Sequence, residues 1–375
     1  MMKPLVAMVL LACAIFDATA QSTRQNASEP SRVRIETVAS GLVHPWGMAL
    51  LPDGRMLMTE RPGRLRVVGR DGALSEPIAG LPRIYARGQG GLLDIVTAPD
   101  FEKSRTVLFS FSEPGPDGTA GTAVARARLD ESATRLEDVT VIFRQEPKVQ
   151  GDGHFGSRLA FARDGTLFVT LGERFKFAPA QDITQHLGTL VRINADGTIP
   201  KDNPFVGRTD ARPEIWSYGH RNIQAAAVHP ETGALWIAEM GPKGGDELNR
   251  VVAGGNYGWP LVSSGTHYDG RAIPDPSTRP EFVAAVYQWT PVIAPSGMAI
   301  YTGDAFPAWR GSMLIGGLRA RAIVRVTLDD DGKTATEAER IDLGARVRDV
   351  AQGPDGNVYA ITDDPNGRLL RVTPR

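Results

Sequence analysis

The chain is patterned for strands. Alternation such as Leu167-Phe168-Val169-Thr170-Leu171 puts apolar and polar positions on opposite faces of a strand. No segment carries the long apolar stripe of an amphipathic helix. From Val33 onward one unit keeps returning: an apolar strand, a turn with Pro, Asp or Gly, then a second β-rich strand. Six copies align, at residues 46–60, 92–112, 157–173, 225–241, 296–318 and 348–364. Their turns fall near 53, 100, 164, 231, 304 and 355, a spacing of roughly 60 residues that suits propeller blades carrying insertions. Asp53-Gly54, Asp164-Gly165 and Asp355-Gly356 supply tight hairpin turns. The pattern predicts an all-β fold, a six-bladed β-propeller over residues 33–375. A pair of β-sandwiches is the alternative, and it leaves six equivalent units unexplained. Ring closure falls to residues 33–39, expected to pair beside the last blade.

In such a ring the strand that begins each hairpin is innermost, and loops gather over a central channel. The residues just before these strands therefore converge, however far apart they lie in the chain. Gln89, His154, Arg221, Asn222, Arg346 and Arg348 occupy such positions.

The first residues read differently. Met1-Met2-Lys3 is a short positive region, Pro4 to Phe16 is apolar, and Ala18-Thr19-Ala20 is a small-x-small cleavage site. Residues 1–20 are thus expected to be a signal peptide, giving a periplasmic or secreted protein. The apolar run is too short for a membrane span. The only cysteine, Cys13, lies in this leader; a lipoprotein anchored through Cys13 is the less favoured reading. A chain cut after Ala20 has no thiol and no disulfide. Residues 21–32 are polar and expected to be disordered. Charge is balanced, 42 Lys and Arg against 43 Asp and Glu, which gives no reason to expect a nucleic-acid partner.

Chemistry enters through a few stretches. "GDGHFGSRLAF" (151–161) sets His154 among glycines, as a turn residue, a metal ligand or a base. "YGHRNIQ" (218–224) offers Arg221, able to clamp a carboxylate, or simply a polar loop. In "EMGPKGGDELN" (239–249) the Gly241 and Pro242 carbonyls with Asp246 and Glu247 make an oxygen set suited to calcium, or a turn stabilised by Asp246. Arg346 and Arg348 stand two apart, as do Arg319 and Arg321, so each pair is expected to share one strand face. These pairs with Arg221 form an anion-attracting set if they line one channel, and solvated strand faces otherwise. His44, His186, His229 and His267 read as structural or surface residues. HExxH, GxSxG and Walker motifs do not occur. The set favours a ligand with several carboxylates, a histidine at its edge and a calcium.

Four stretches in order resemble the soluble aldose sugar dehydrogenases of the glucose/sorbosone dehydrogenase family: residues 41–68, 88–101, 154–174 and 219–260. The likeness runs from about 33 to 374, essentially the whole chain after the leader. It implies a six-bladed propeller that holds pyrroloquinoline quinone (PQQ) over the channel mouth with a bridging Ca²⁺. It implies His154 as general base, oriented by Glu173, with Arg221 polarising the quinone. It also implies Gln89, His154, Arg221, Asn222, Arg319, Arg346 and Arg348 as cofactor contacts. The Gly241 and Pro242 carbonyls would be calcium ligands, with Asp246 and Tyr257 close by. The implied substrate is an aldose, oxidised at C1 to the lactone, with electrons passed to a small quinone, a dye or a cytochrome. The protein is expected to be a monomer or a homodimer. Four positions depart from the family pattern: Glu173 where Asp is common, Ser157 for a second Gly, Ile223 for Pro, and Arg319 for a Lys found in some members. Two readings compete. One is a calcium-dependent lactonase-type hydrolase, disfavoured because arginines rather than carboxylates are expected in the channel. The other is a non-catalytic binding propeller, which has no need of His154 with its arginine set.

Overall fold

The computed structural model describes residues 32–375. The leader, Cys13 and residues 21–31 lie outside the described residues. Strands form six antiparallel sheets arranged as a β-propeller. Blade 1 is Pro45–Leu50, Met56–Glu60 and Arg64–Val68. Blade 2 is Leu92–Thr97, Thr106–Pro114, Ala120–Leu129 and Leu136–Arg144. Blade 3 is Leu159–Phe161, Thr166–Thr170, Thr189–Asn194 and Ile215–Tyr218. Blade 4 is Ile223–Val228, Leu235–Glu239, Asp246–Arg250 and Tyr287–Trp289. Blade 5 is Pro295–Ile300, Met313–Gly317, Ala322–Leu328 and Ala335–Asp342.

Blade 6 is built from both ends of the described chain. Val347–Gln352, Val358–Thr362 and Gly367–Pro374 are joined at the outer edge by Val33–Leu42, with Val33 opposite Pro374. Sequence-distant strands thus close the ring by completing its last blade.

The first strands of successive blades touch one another all the way round the ring, so they line the channel. Each blade turns at the expected place. Gly54, Gly165 and Gly356 follow Asp at the hairpin tips with φ of 82°, 82° and 73°, a region that favours glycine. Apolar faces of neighbouring blades pack into shared cores. One joins Phe109 and Phe111 of blade 2 to Leu57 and Leu65 of blade 1; another joins Tyr301, Leu314 and Ile323 of blade 5 to Val350 and Leu370 of blade 6.

Most inner strands carry a bulge at their start. Register slips between Pro45 and Met48, Leu92 and Ile95, Ile223 and Ala225, Pro295 and Met298, and Val347 and Asp349. A bulge adds a residue and re-aims side chains. Trp46, Asp94, Gln224 and Arg348 lie within these slips. Arg158 contacts Trp46, Asp94 and the Gln224 carbonyl, and Arg348 donates to the Gln224 side chain, so they meet inside the ring.

Candidate active site

His154 sits in the loop that leads into blade 3. Its φ is 51°, the left-handed region, and its backbone N–H donates to Gln89 Oε1 at 2.8 Å. Glu173, three residues past the strand Thr166–Thr170, brings Oε1 to 2.6 Å from His154 Nδ1, and both side chains are buried. A carboxylate on Nδ1 fixes the tautomer with the proton there and the lone pair on Nε2. Burial, reinforced by the nearby Arg221 and Arg174 charges, pushes His154 down to about 4, although its hydrogen bond to Glu173 works the other way. The ring is therefore a neutral base across the ordinary pH range.

Glu173 also reaches forward. Its Oε2 accepts from the Phe177 N–H at 2.7 Å. The extra methylene relative to Asp is thus used: one oxygen orients the base and the other holds the following loop.

Arg221 opens blade 4 and is buried. Its Nη1 donates to the Met240 and Gly241 carbonyls at 3.0 and 2.8 Å, and its Nη2 donates to Tyr268 Oη at 3.1 Å. Its Nε is buried without a protein partner. Its backbone N–H donates to Glu239 Oε2 at 2.8 Å, and Glu239 Oε1 lies 2.9 Å from His220 Nδ1. His220, wholly buried, stacks on Tyr257 with ring centroids 4.5 Å apart. Asn222 braces two blades: its Oδ1 accepts from the Gly156 N–H at 3.1 Å. His154 and Arg221 share one wall, because Phe175 stacks on the imidazole at 3.5 Å and lies 5.9 Å from the Arg221 guanidinium.

Asp246 receives the Gly241 N–H on Oδ1 at 2.8 Å and the Ala294 N–H on Oδ2 at 2.7 Å. Burial raises it to about 6. It sets the turn that presents the Gly241 and Pro242 carbonyls. A cavity of about 20 Å³, room for a single water, is lined by Arg221, Gly241, Glu247 and Tyr257, among others. Burial and the Glu239 carboxylate push Glu247 up to about 8. Tyr257 Oη is committed to the backbone, donating to the Arg250 carbonyl at 2.8 Å and accepting from the Val252 N–H at 3.0 Å.

The arginine pairs behave differently from expectation. Arg319 and Arg321 are not on a strand face; both lie in the turn between Met313–Gly317 and Ala322–Leu328, where Arg321 has φ 58°. Arg319 is exposed. Arg348 falls in a bulge and Arg346 precedes the strand, yet both reach Asp363 Oδ2, at 2.8 and 3.3 Å. Arg348 also donates to Gln224 Oε1 at 2.9 Å. His44 Nδ1 lies 3.1 Å from Asp363, so this histidine belongs to the same cluster.

The channel below is not the arginine-dominated space expected. Arg158 lies between Asp94 at 2.8 Å and Asp349 at 3.2 Å, with its guanidinium over Trp46 at 4.4 Å. Burial raises the Asp94 carboxyl to about 6 and raises Asp349 as well. Asp94 and Asp349 carry no sequence signal beyond the inner strands that hold them, and Arg158 stands just before the inner strand of blade 3. Among the described residues, no three His, Cys, Asp or Glu side chains converge as metal ligands. Other open depressions lie elsewhere; one of about 760 Å³ is lined by residues 50–52, 97–103 and 352–354, where inner strands end rather than begin.

Comparison with known proteins places the chain in a class. The family model described as Glucose / Sorbosone dehydrogenase matches residues 42–371, and the chain belongs to that family. Among particular relatives, it is 45% identical over 351 residues to the aldose sugar dehydrogenase YliI of Escherichia coli, covering 92% of this chain and 94% of that one. The crystal structure of the soluble aldose sugar dehydrogenase of Escherichia coli in the apo-form superposes with a TM-score of 0.86, covering 92% of this chain and 100% of that one. The PQQ-bound aldose sugar dehydrogenase of Streptomyces coelicolor superposes with a TM-score of 0.74 at 28% identity, covering 92% and 99%.

Proposed function

We propose that this protein oxidises aldose sugars at C1 to the lactone, with PQQ as cofactor and an external electron acceptor. The observation that carries the reading is the buried His154–Glu173 pair sharing a wall with Arg221, in a chain whose relatives include a PQQ-bound aldose sugar dehydrogenase.

The residues suit a flat cofactor with several carboxylates. Arg221 Nε and Arg348 Nε are buried without protein partners, and Arg319 stands exposed in its turn. Buried donors of this kind call for an acceptor. Arg221, Arg319, Arg346 and Arg348 would meet carboxylates, with Gln89 and Asn222 fixing the loops behind them. The Gly241 and Pro242 carbonyls would hold Ca²⁺, with Asp246 shaping their turn and Tyr257 backing it. When bound, PQQ supplies the two-electron acceptor that no side chain here can provide.

The chain's own work is proton transfer and positioning. His154 Nε2 takes the C1 hydroxyl proton as the C1 hydrogen leaves with its electron pair, giving the lactone. Glu173 keeps the ring in the required tautomer and offsets the positive charge it acquires. Arg221 places positive charge beside the reacting centre. The leader-like residues 1–20 support a periplasmic or secreted location, where a small quinone, a dye or a cytochrome would take the electrons.

The test mixes apo-protein with PQQ and Ca²⁺, adds a panel of aldoses, and follows reduction of a dye. Dye reduction that needs all three components is expected. No reduction with any sugar, together with no change in quinone absorbance, overturns the reading.

A further inference from the structure

The loop after Glu173 is strained in a specific way. Arg174, Phe175 and Phe177 have φ of 58°, 57° and 60°, all in the left-handed region. Such residues cost about 1–3 kcal/mol each and persist only where the surroundings over-determine them. Here the surroundings do. Glu173 accepts the Phe177 N–H, and Arg174 is buried over the Phe155 ring at 3.7 Å while donating to the Gly153 and Ala120 carbonyls at 2.8 and 2.6 Å.

The product of that strain is the placement of one ring. Phe175 lies on the His154 imidazole at 3.5 Å with 25° between planes, although 42% of the residue is exposed. Gly153 is cut to fit it: a Cβ there would lie 2.4 Å from Phe175 Cε2. The glycine beside the histidine makes room for the chain's own phenylalanine.

We propose that Phe175 is a positioning residue for the reaction: its ring replaces water on one face of His154, holding the imidazole dry and in plane while the neutral base waits for a hydroxyl. The catalytic consequence rests on the proposed function; the effect on the imidazole does not. The charged groups bearing on His154 are Glu173, Arg221 and Arg174. Phe175 carries no charge of its own; it covers the imidazole face from water, and its ring also lies 5.9 Å from the Arg221 guanidinium.

The test titrates His154 by NMR in histidine-labelled apo-protein, its signal assigned by loss in His154→Gln. Phe175→Ala should shift the midpoint up by about one pH unit or more, towards the ordinary histidine value. Phe175→Leu, which keeps an apolar cover, should shift it less. Gly153→Ala should push the ring aside and raise the midpoint too, and should add nothing to Phe175→Ala. Wild-type midpoints in the folded Phe175→Ala, Phe175→Leu and Gly153→Ala proteins overturn the proposal. Should one variant fail to fold, the other two decide. With PQQ, Ca²⁺ and an aldose, the acid limb of kcat/KM should move up with the midpoint. An NMR shift in a protein that turns over no sugar would sink the proposed function and leave this proposal standing.

Discussion

Two sides of the channel mouth hold the candidate residues, and they commit their charges differently. On the side of blades 3 and 4, His154, Glu173 and Arg221 are buried and braced from behind by backbone groups and second side chains. On the side of blades 5 and 6, Arg348 is buried against Asp363, while Arg346 and Arg319 stand in solvent. On the proposed function, the first side holds the groups that act on the sugar, where a small displacement of a reacting group is costly. The second has a fixed anchor and loose charges, suited to catching an anion rather than acting on one. The contrast teaches that a shared location in the ring does not make residues equivalent; what holds each side chain does.

The sharpest break of this contrast is His154→Ala. Turnover should fall by about 10²–10⁴-fold, the usual contribution of a general base, while PQQ titration stays near wild type. Normal turnover would remove His154 from its role. The same residue sets a pH dependence. Because its folded value is pushed down to about 4, the unfolded chain takes up the proton first as pH falls. The stabilisation is full above the ordinary histidine value near 6.5 and is lost as pH falls through about 4. Thermal unfolding of wild type and His154→Gln across that window should show the wild type losing stability more steeply.

Next in size is the anchor on the other side. Arg348→Ala leaves Asp363 with His44 and the exposed Arg346 as hydrogen-bond partners and Arg61 nearby, and strips Gln224 of a donor. Removing one partner of a buried ion pair costs about 3–5 kcal/mol, readable by denaturant unfolding. Weaker PQQ binding should accompany it. Unchanged stability would mean that Asp363 is satisfied without Arg348.

Glu173→Asp tests the departure from the family pattern. The shorter side chain cannot serve both His154 Nδ1 and the Phe177 N–H. A reacting group displaced by about 1 Å can lose 10²-fold in rate, so turnover should drop by up to that much while KM changes less. Wild-type turnover would show that the second contact of Glu173 is dispensable.

Much of this was legible in the sequence, for identifiable reasons. Hairpins announce themselves through Asp-Gly tips, so the repeat and its turns at Gly54, Gly165 and Gly356 could be placed. His154 stood out by its glycines, and one of them, Gly153, makes room for the Phe175 ring, a contact no local pattern announces. What stayed hidden depends on backbone events without a residue code. The bulges that turn Trp46, Asp94, Gln224 and Arg348 into the channel are set by how blades meet around the ring. The Asp94–Arg158–Asp349 cluster joins residues more than 250 positions apart and has no local signature. Arg319 and Arg321 failed the other way: spacing of two suggests a strand, but the chain reverses there.

The smallest effect is the most discriminating for the comparison. Arg346→Ala removes a charge whose side chain is half exposed and whose bond to Asp363 is 3.3 Å long. Solvent screens such a pair, so stability should change by no more than about 0.5 kcal/mol. Arg348 keeps its shorter contact to the same carboxylate, so Asp363 remains paired. If Arg346 is a loose charge that meets a carboxylate of PQQ, the variant should bind PQQ several-fold more weakly, and the loss should shrink as salt is added. A stability loss matching that of Arg348→Ala would erase the distinction between anchor and loose charge. Unchanged PQQ affinity at low salt would instead confine the cofactor-binding arginines to the buried ones, Arg221 and Arg348, with Arg346 a bystander at the rim.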